Sequence, residues 1–185
     1  MRVAVFGGSF NPPHVAHLLA ATFVLATEEV DRLLVVPTHR HPFAKALAPF
    51  DDRVAMCHAA LGWLPGVEVS RIEEELEGDS LTLHTLERIR AGHPDWRLRL
   101  VVGADVLAET SKWYRWDAVR ALAPPIVLGR AGVTAPGAPA AVLPEISSTR
   151  VRELIAKGAW SELAPLVPRA VLGYIRERGL YGRPT

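Results

Sequence analysis

The chain has 185 residues, 49% of them hydrophobic, with a formal net charge of +1 and a single cysteine. That size fits one α/β domain with a real core, and the near-zero charge gives no global case for nucleic acid or an anionic membrane, so any anion site must be built locally. One cysteine, Cys57, excludes an internal disulfide and a cysteine-based zinc site. No apolar run is long enough to cross a bilayer, and the first residues are expected to form a strand and not a signal peptide, so the expected compartment is the cytoplasm. Oligomeric state is left open.

Arg2-Val3-Ala4-Val5-Phe6 is expected to be a short buried strand, followed by the turn Gly7-Gly8-Ser9-Phe10-Asn11-Pro12-Pro13 and an apolar helical pattern through Leu18, Leu19, Thr22, Phe23 and Ala26. Gly7 and Gly8 allow a tight turn and a close approach of ligand to backbone. Pro12 and Pro13 lack N–H groups, so the helix should begin near His14. His14 and His17 then share one face of its first turn, where unpaired N–H groups and the positive end of the dipole suit phosphate. Asp31–Pro37 follows as a second buried strand, completing a βαβ unit of a parallel sheet. The loop from Thr38 to Lys45 lies at that strand's carboxyl end and carries His39, Arg40, His41 and Lys45, which suit a phosphate.

Asp51 is expected to cap a helix through Leu61, stopped by Pro65-Gly66, and Val67–Ile72 alternates as a strand. The acidic run Glu73-Glu74-Glu75 is expected to be a solvated loop. Ser80 or Asp79 should cap the next helix, with Leu83, Leu86 and Ile89 on its buried face. Arg97–Val102 is a further strand ending in Gly103-Ala104-Asp105, and a carboxylate just past a strand end can accept two hydrogen bonds from a diol. Trp113 and Tyr114 come next, with Trp116 expected in the core. Ile126–Leu128 is the fifth strand. The Pro-, Gly- and Ala-rich stretch from Ala131 is a surface loop, and Ala141–Leu143 a short strand. In Ile146-Ser147-Ser148-Thr149-Arg150-Val151-Arg152, Ser147 or Ser148 should cap a helix running to Lys157. Hydroxyls, free N–H groups and two arginines converge there on a second site for phosphates.

Gly7-Gly8-Ser9-Phe10-Asn11-Pro12-Pro13-His14 followed by His17 resembles the signature of the nucleotidyltransferase superfamily with the HxGH motif, and Ile146–Arg152 resembles its ISSTxIR motif, with Val151 at the Ile position. One departure is Ala16 at the motif's glycine position, which puts a methyl where the nucleotide approaches. Gly103-Ala104-Asp105 followed by Trp113-Tyr114, and Ser80, Thr82, Thr85 and Leu86 at the start of a helix, resemble the bacterial nicotinate-nucleotide adenylyltransferases. In place of that family's Tyr and Asp stand Leu81 and His84. The resemblance extends to the tail, through Leu180-Tyr181, and so covers nearly the whole chain.

The resemblance implies a doubly wound parallel α/β sheet of the Rossmann-like nucleotidyltransferase fold, in one domain over residues 1–185 with a helical part from about residue 147. It implies that the 5′-phosphate of nicotinate mononucleotide attacks the α-phosphorus of ATP and that pyrophosphate leaves. His14, His17 and Arg152 are then the catalytic residues. Gly7, Gly8, Ser9, Phe10, Asp105, Ser147, Ser148 and Thr149 join them in binding ATP, and Lys45, Thr82, Trp113 and Tyr114 bind the acceptor. An aromatic face such as Trp113 suits a flat cationic pyridinium. Magnesium is expected to ride on ATP, with no dedicated protein ligand. The same chemistry on nicotinamide mononucleotide or phosphopantetheine is the nearest alternative. A nucleotide sensor without turnover is the non-enzyme alternative, resting on Ala16. A zinc hydrolase built on His14, His17, His39 and His41 lacks an acidic third ligand at suitable spacing, and a dehydrogenase lacks G-x-G-x-x-G.

Overall fold

Alternation along the strands decides how the chain layers. The computed structural model describes residues 1–40, 46–107, 112–132 and 140–182. In β1 (Arg2–Gly8), Val3 and Val5 face one side of the sheet and Ala4 the other, and all three are buried. In β2 (Arg32–Pro37), Leu34 and Val36 share the Val3 side while Leu33 and Val35 share the Ala4 side. A strand apolar on both faces needs helices on both, which is the doubly wound solution.

The remaining strands are β3 (Val67–Val69), β4 (Arg97–Gly103), β5 (Pro125–Arg130) and β6 (Ala141–Leu143). Their order is β3-β2-β1-β4-β5-β6, and every neighbouring pair is parallel. On one face lie α1 (Val15–Thr27), α2 (Phe50–Leu61), α6 (Ser148–Ala156), α7 (Trp160–Leu163) and α8 (Arg169–Arg178). The other face is covered by α3 (Thr82–Gly92) and α5 (Trp116–Leu122), with Leu83, Leu86, Ile89 and Val119 buried on it. Each such fully buried aliphatic side chain contributes about 1.5–3 kcal/mol. The short α4 (Ala104–Leu107) continues directly from β4. The chain leaves β1 toward β2 on one side and later adds β4 on the other. The carboxyl ends of β1 and β4 therefore bound the crevice where this architecture places ligands. No helix among the described residues is long and apolar enough to cross a membrane.

Four local expectations are corrected. The acidic run is not a solvated loop throughout, because Ile72–Glu75 winds into a 3₁₀ turn that carries Glu73 inward. The Glu73 carboxylate is buried, accepting from the Thr85 hydroxyl at 3.0 Å and from the His39 N–H at 2.8 Å. The α2 cap position falls on Pro49, leaving Asp51 in the first turn, paired with Arg71 at 2.5 Å. Helix α3 has Leu81 at its cap, because the Ser80 hydroxyl accepts instead from the His39 and Arg40 N–H groups at 3.1 and 3.0 Å. Trp116 is partly buried, packed edge-on to Trp113.

Candidate active site

The turn after β1 is built from below. Phe10 adopts a left-handed backbone (φ 44°), and its buried ring packs edge-on to Phe6 at 5.5 Å and against the His17 imidazole at 4.9 Å. A side chain at Gly8 would meet the Phe10 ring at 3.3 Å, whereas one at Gly7 would point into open space. Beneath the turn lies Arg53, only 1% exposed, donating to the Ser9 and Ala48 carbonyls at 3.0 and 2.9 Å. A guanidinium held at two carbonyls fixes the backbone of the turn without reaching solvent.

His14 occupies the cap position of α1. Its backbone N–H donates to His17 Nδ1 at 3.1 Å. That bond makes Nδ1 the acceptor, so the His17 proton sits on Nε2 and the ring offers one fixed N–H donor. The two imidazoles stack at 3.8 Å. Burial, and then the Arg130 guanidinium, lower His14 to about 4; His17 lies well below the ordinary imidazole value through burial and the neighbouring His14 and Arg130 charges. At neutral pH both rings are therefore uncharged donors. His14 Nδ1 is buried and meets no hydrogen-bond partner among the described residues, so it is open to a polar ligand atom or a water.

The two motifs expected to bind phosphate meet here. The Ser148 hydroxyl donates to the Pro12 carbonyl at 2.9 Å, across 136 positions of sequence. Arg152 donates to the Asn11 carbonyl at 2.8 Å through Nη1 and to the Thr149 hydroxyl at 3.3 Å through Nη2. Ser147 caps α6, its hydroxyl accepting from the Arg150 N–H at 3.2 Å. The first turn of α6, whose N–H groups lack partners within the helix, is thus tied to the first motif.

These groups line one crevice of about 640 Å³. Gly7, Ser9, Phe10, His14, His17, Asp105, Trp113, Ser147, Ser148, Thr149 and Arg152 are all on its wall, and so is Ala16, buried with its methyl in the lining. Gly8, Thr82 and Tyr114 are not among its described lining residues. Gly8 lies behind Phe10. Thr82 opens α3, and two residues on His84 packs edge-on to the half-exposed Tyr114 at 5.6 Å, so the start of α3 lies beside Tyr114. Lys45 lies outside the described residues.

Arg130, to which the sequence assigned no role, lines the crevice at the carboxyl end of β5. It pairs with Asp105 at 3.2 Å and also donates to the Ile146 carbonyl. Its signal was positional: it ends β5 at the ligand-bearing edge, as Asp105 stands just past the end of β4. A Cβ at Gly103 would lie 2.3 Å from Asp105 Oδ1, so glycine there lets the carboxylate fold back over the end of β4. Cys57 is buried on α2 and burial pushes its thiol up, so it is no nucleophile. With no activated nucleophile among the described residues, the arrangement suits holding and polarising a polyphosphate.

Comparison with known proteins gives the same direction. The pattern of the cytidylyltransferase-like family matches residues 5–154. A protein of Anaeromyxobacter sp. (strain K) named "Probable nicotinate-nucleotide adenylyltransferase" is 55% identical over 184 residues, covering 97% of this chain and 96% of its own. One of the same name from Myxococcus xanthus (strain DK1622) is 44% identical, covering 98% and 95%. The solved structure of the Plasmodium falciparum nicotinic acid mononucleotide adenylyltransferase complexed with NaAD superposes with a TM-score of 0.78, over 97% of each chain. At 15% identity that last likeness speaks for the fold.

Proposed function

The chain belongs to the nicotinate-nucleotide adenylyltransferases, within the cytidylyltransferase-like family, and from that membership we propose how its crevice works. The enzyme transfers the adenylyl group of ATP to nicotinate mononucleotide, giving nicotinate adenine dinucleotide and pyrophosphate for NAD biosynthesis. The observation that carries the site assignment is the Ser148–Pro12 bond at 2.9 Å, which joins the two phosphate motifs into one rim.

An oxygen of the mononucleotide 5′-phosphate forms a bond to the α-phosphorus, and the bond from that phosphorus to the bridging oxygen of the β-phosphate breaks. The attacking oxygen is already anionic, so no general base is needed. His17 Nε2–H and the His14 ring hold α- and β-phosphate oxygens as charge moves onto the leaving group. Arg152, Thr149 and the N–H groups of α6 hold the departing pyrophosphate. Gly7, Ser9 and Phe10 wall the nucleotide. Asp105 takes the ribose hydroxyls once its pairing with Arg130 gives way. Trp113 stacks on the pyridine ring, with Thr82, Tyr114 and Lys45 around its carboxylate. A million-fold acceleration requires about 8 kcal/mol, and three to five charge-assisted hydrogen bonds at about 1.5–3 kcal/mol each supply it if they strengthen in the transition state.

Asp105 is the single carboxylate among the described lining residues, and no group of three or more metal-binding side chains occurs among the described residues. That donor set fits a Mg²⁺ carried by the ATP oxygens, where it would supply charge neutralisation on the pyrophosphate. The whole chain acts as one nucleotidyltransferase domain in the cytoplasm, with ATP and nicotinate mononucleotide as its partners; its formal charge of +1 argues against nucleic acid or a membrane surface.

The test is pyrophosphate release with ATP and Mg²⁺, comparing nicotinate with nicotinamide mononucleotide. Preference for the acid is expected. Preference for the amide would overturn the acceptor and keep the mechanism; no release with either would overturn both. The same assay probes Asp105. Asp105→Ala removes the acceptor proposed for the ribose hydroxyls, so the KM for ATP is expected to rise about fivefold or more, and an unchanged KM would remove Asp105 from the ribose.

A further inference from the structure

The carboxy-terminal segment ends on an arrangement that the proposed reaction leaves unused. Gly179 caps α8 in the left-handed region, and two residues on Tyr181 is left-handed as well, at φ 62°. A left-handed tyrosine persists only where its surroundings hold it. Here the ring packs against the hydrophobic cluster on the α1–α2 face of the sheet, and its hydroxyl donates to Asn11 Oδ1 at 2.8 Å, across 170 positions of sequence. Asn11 is itself 3% exposed. Its Oδ1 also accepts from the Ala48 N–H at 3.0 Å, its Nδ2 donates to the Ala46 carbonyl at 3.4 Å, and its own carbonyl accepts from Arg152.

One buried asparagine thus gathers four parts of the chain: its carboxamide holds the segment from Ala46 to Ala48 and the end of the chain, and its main-chain carbonyl, in the first motif, takes the Arg152 guanidinium. Both acceptor sites of Oδ1 are filled only with the tyrosine in place. We propose that Tyr181 is a positioning residue for adenylyl transfer: by locking the Asn11 carboxamide it sets the first motif and Arg152 against the crevice wall. The inference rests on the adenylyltransferase reading of the same crevice. Burial raises the phenol, partly offset by Arg53 and Arg152, so it remains a proton donor throughout the working pH range. Tyr181 does not line the crevice, so its effect passes through the placement of other groups and belongs in kcat more than in KM.

The test compares Tyr181→Phe with Tyr174→Phe in the full chain. Tyr174, on α8, ties the same part of the chain to the body through a hydroxyl bond to Asp52 at 2.8 Å that does not lead to the motif. Tyr181→Phe is expected to lower kcat about fivefold or more with both KM values within about twofold, and to speed hydrogen exchange at the Ala48 amide. Tyr174→Phe is expected to lose similar thermal stability and keep its kcat. The proposal is overturned if Tyr181→Phe keeps its kcat, if both variants lose it equally, if Ala48 exchange is unchanged, or if Tyr181→Phe does not fold, which would make the hydroxyl a structural requirement. The exchange arm needs no substrate. A wild-type chain without turnover would therefore sink the reaction assigned above and leave the latch to be read separately.

Discussion

Replacing Arg152 by alanine is expected to lower kcat by at least about a hundredfold, equivalent to about 2.7 kcal/mol of lost transition-state stabilisation. One charged donor pair facing the leaving pyrophosphate accounts for that amount, since charge-assisted hydrogen bonds run to about 1.5–3 kcal/mol each. The structural loss is smaller. The bond to the Asn11 carbonyl at 2.8 Å disappears, leaving a carbonyl to find a water. At about 1 kcal/mol that is a fall in Tm of about 2–4 °C for a domain of this size. Arg152→Lys should recover part of the rate, because it restores the charge without the fork that lets one guanidinium reach a carbonyl and a phosphate together. Steady-state kinetics of pyrophosphate release, with thermal melts on the same preparations, separate the two effects. A kcat within threefold of wild type would remove Arg152 from the reaction.

The part of this site that was legible in sequence is the part whose chemistry is local. A glycine turn after an apolar strand, two histidines three positions apart, and a Ser-Ser-Thr cap each announce themselves within one turn of chain. The structure brings them together because β1 and α6 share one edge of the sheet. What was not legible depended on partners distant in sequence. Glu73 sits in a run of three acids that looks solvated, and only the approach of Thr85 and the His39 N–H turns that one carboxylate inward. Arg53 looks like any arginine on an amphipathic helix until the glycine turn settles on it. Arg130 has no motif around it, and its influence on the histidines exists because β5 lies beside β4 with the start of α6 above. Ser148 was expected to grip phosphate with its side chain, yet its hydroxyl proton goes to Pro12, so in this arrangement Ser148 serves mainly to join the motifs.

His17→Ala is expected to lower kcat by about a hundredfold or more, the usual consequence of removing one fixed donor from a developing anion. The companion expectation concerns pH. Two stacked rings 3.8 Å apart beside Arg130 resist protonation, and His14 lies at about 4. Donors that are already neutral do not titrate between pH 6 and 9, so kcat in that range should show no ionisation from this pair. The cost appears in stability below that range. An unfolded histidine takes up its proton near pH 6.5, whereas the folded His14 waits until about 4. Between those values the unfolded chain binds more protons, and stability falls as the pH drops. For His14 alone the loss reaches the order of 3 kcal/mol at pH 4, with its stabilising contribution complete above about 6.5. His17 adds in the same direction. Urea midpoints from pH 4.5 to 8 should therefore decline toward acid in the wild type and decline less in His14→Gln, which cannot titrate. If the two proteins share one slope, His14 is not the buried neutral ring that the crevice requires. If the slopes diverge, the same burial that makes the histidines effective neutral donors is what the fold gives up in acid.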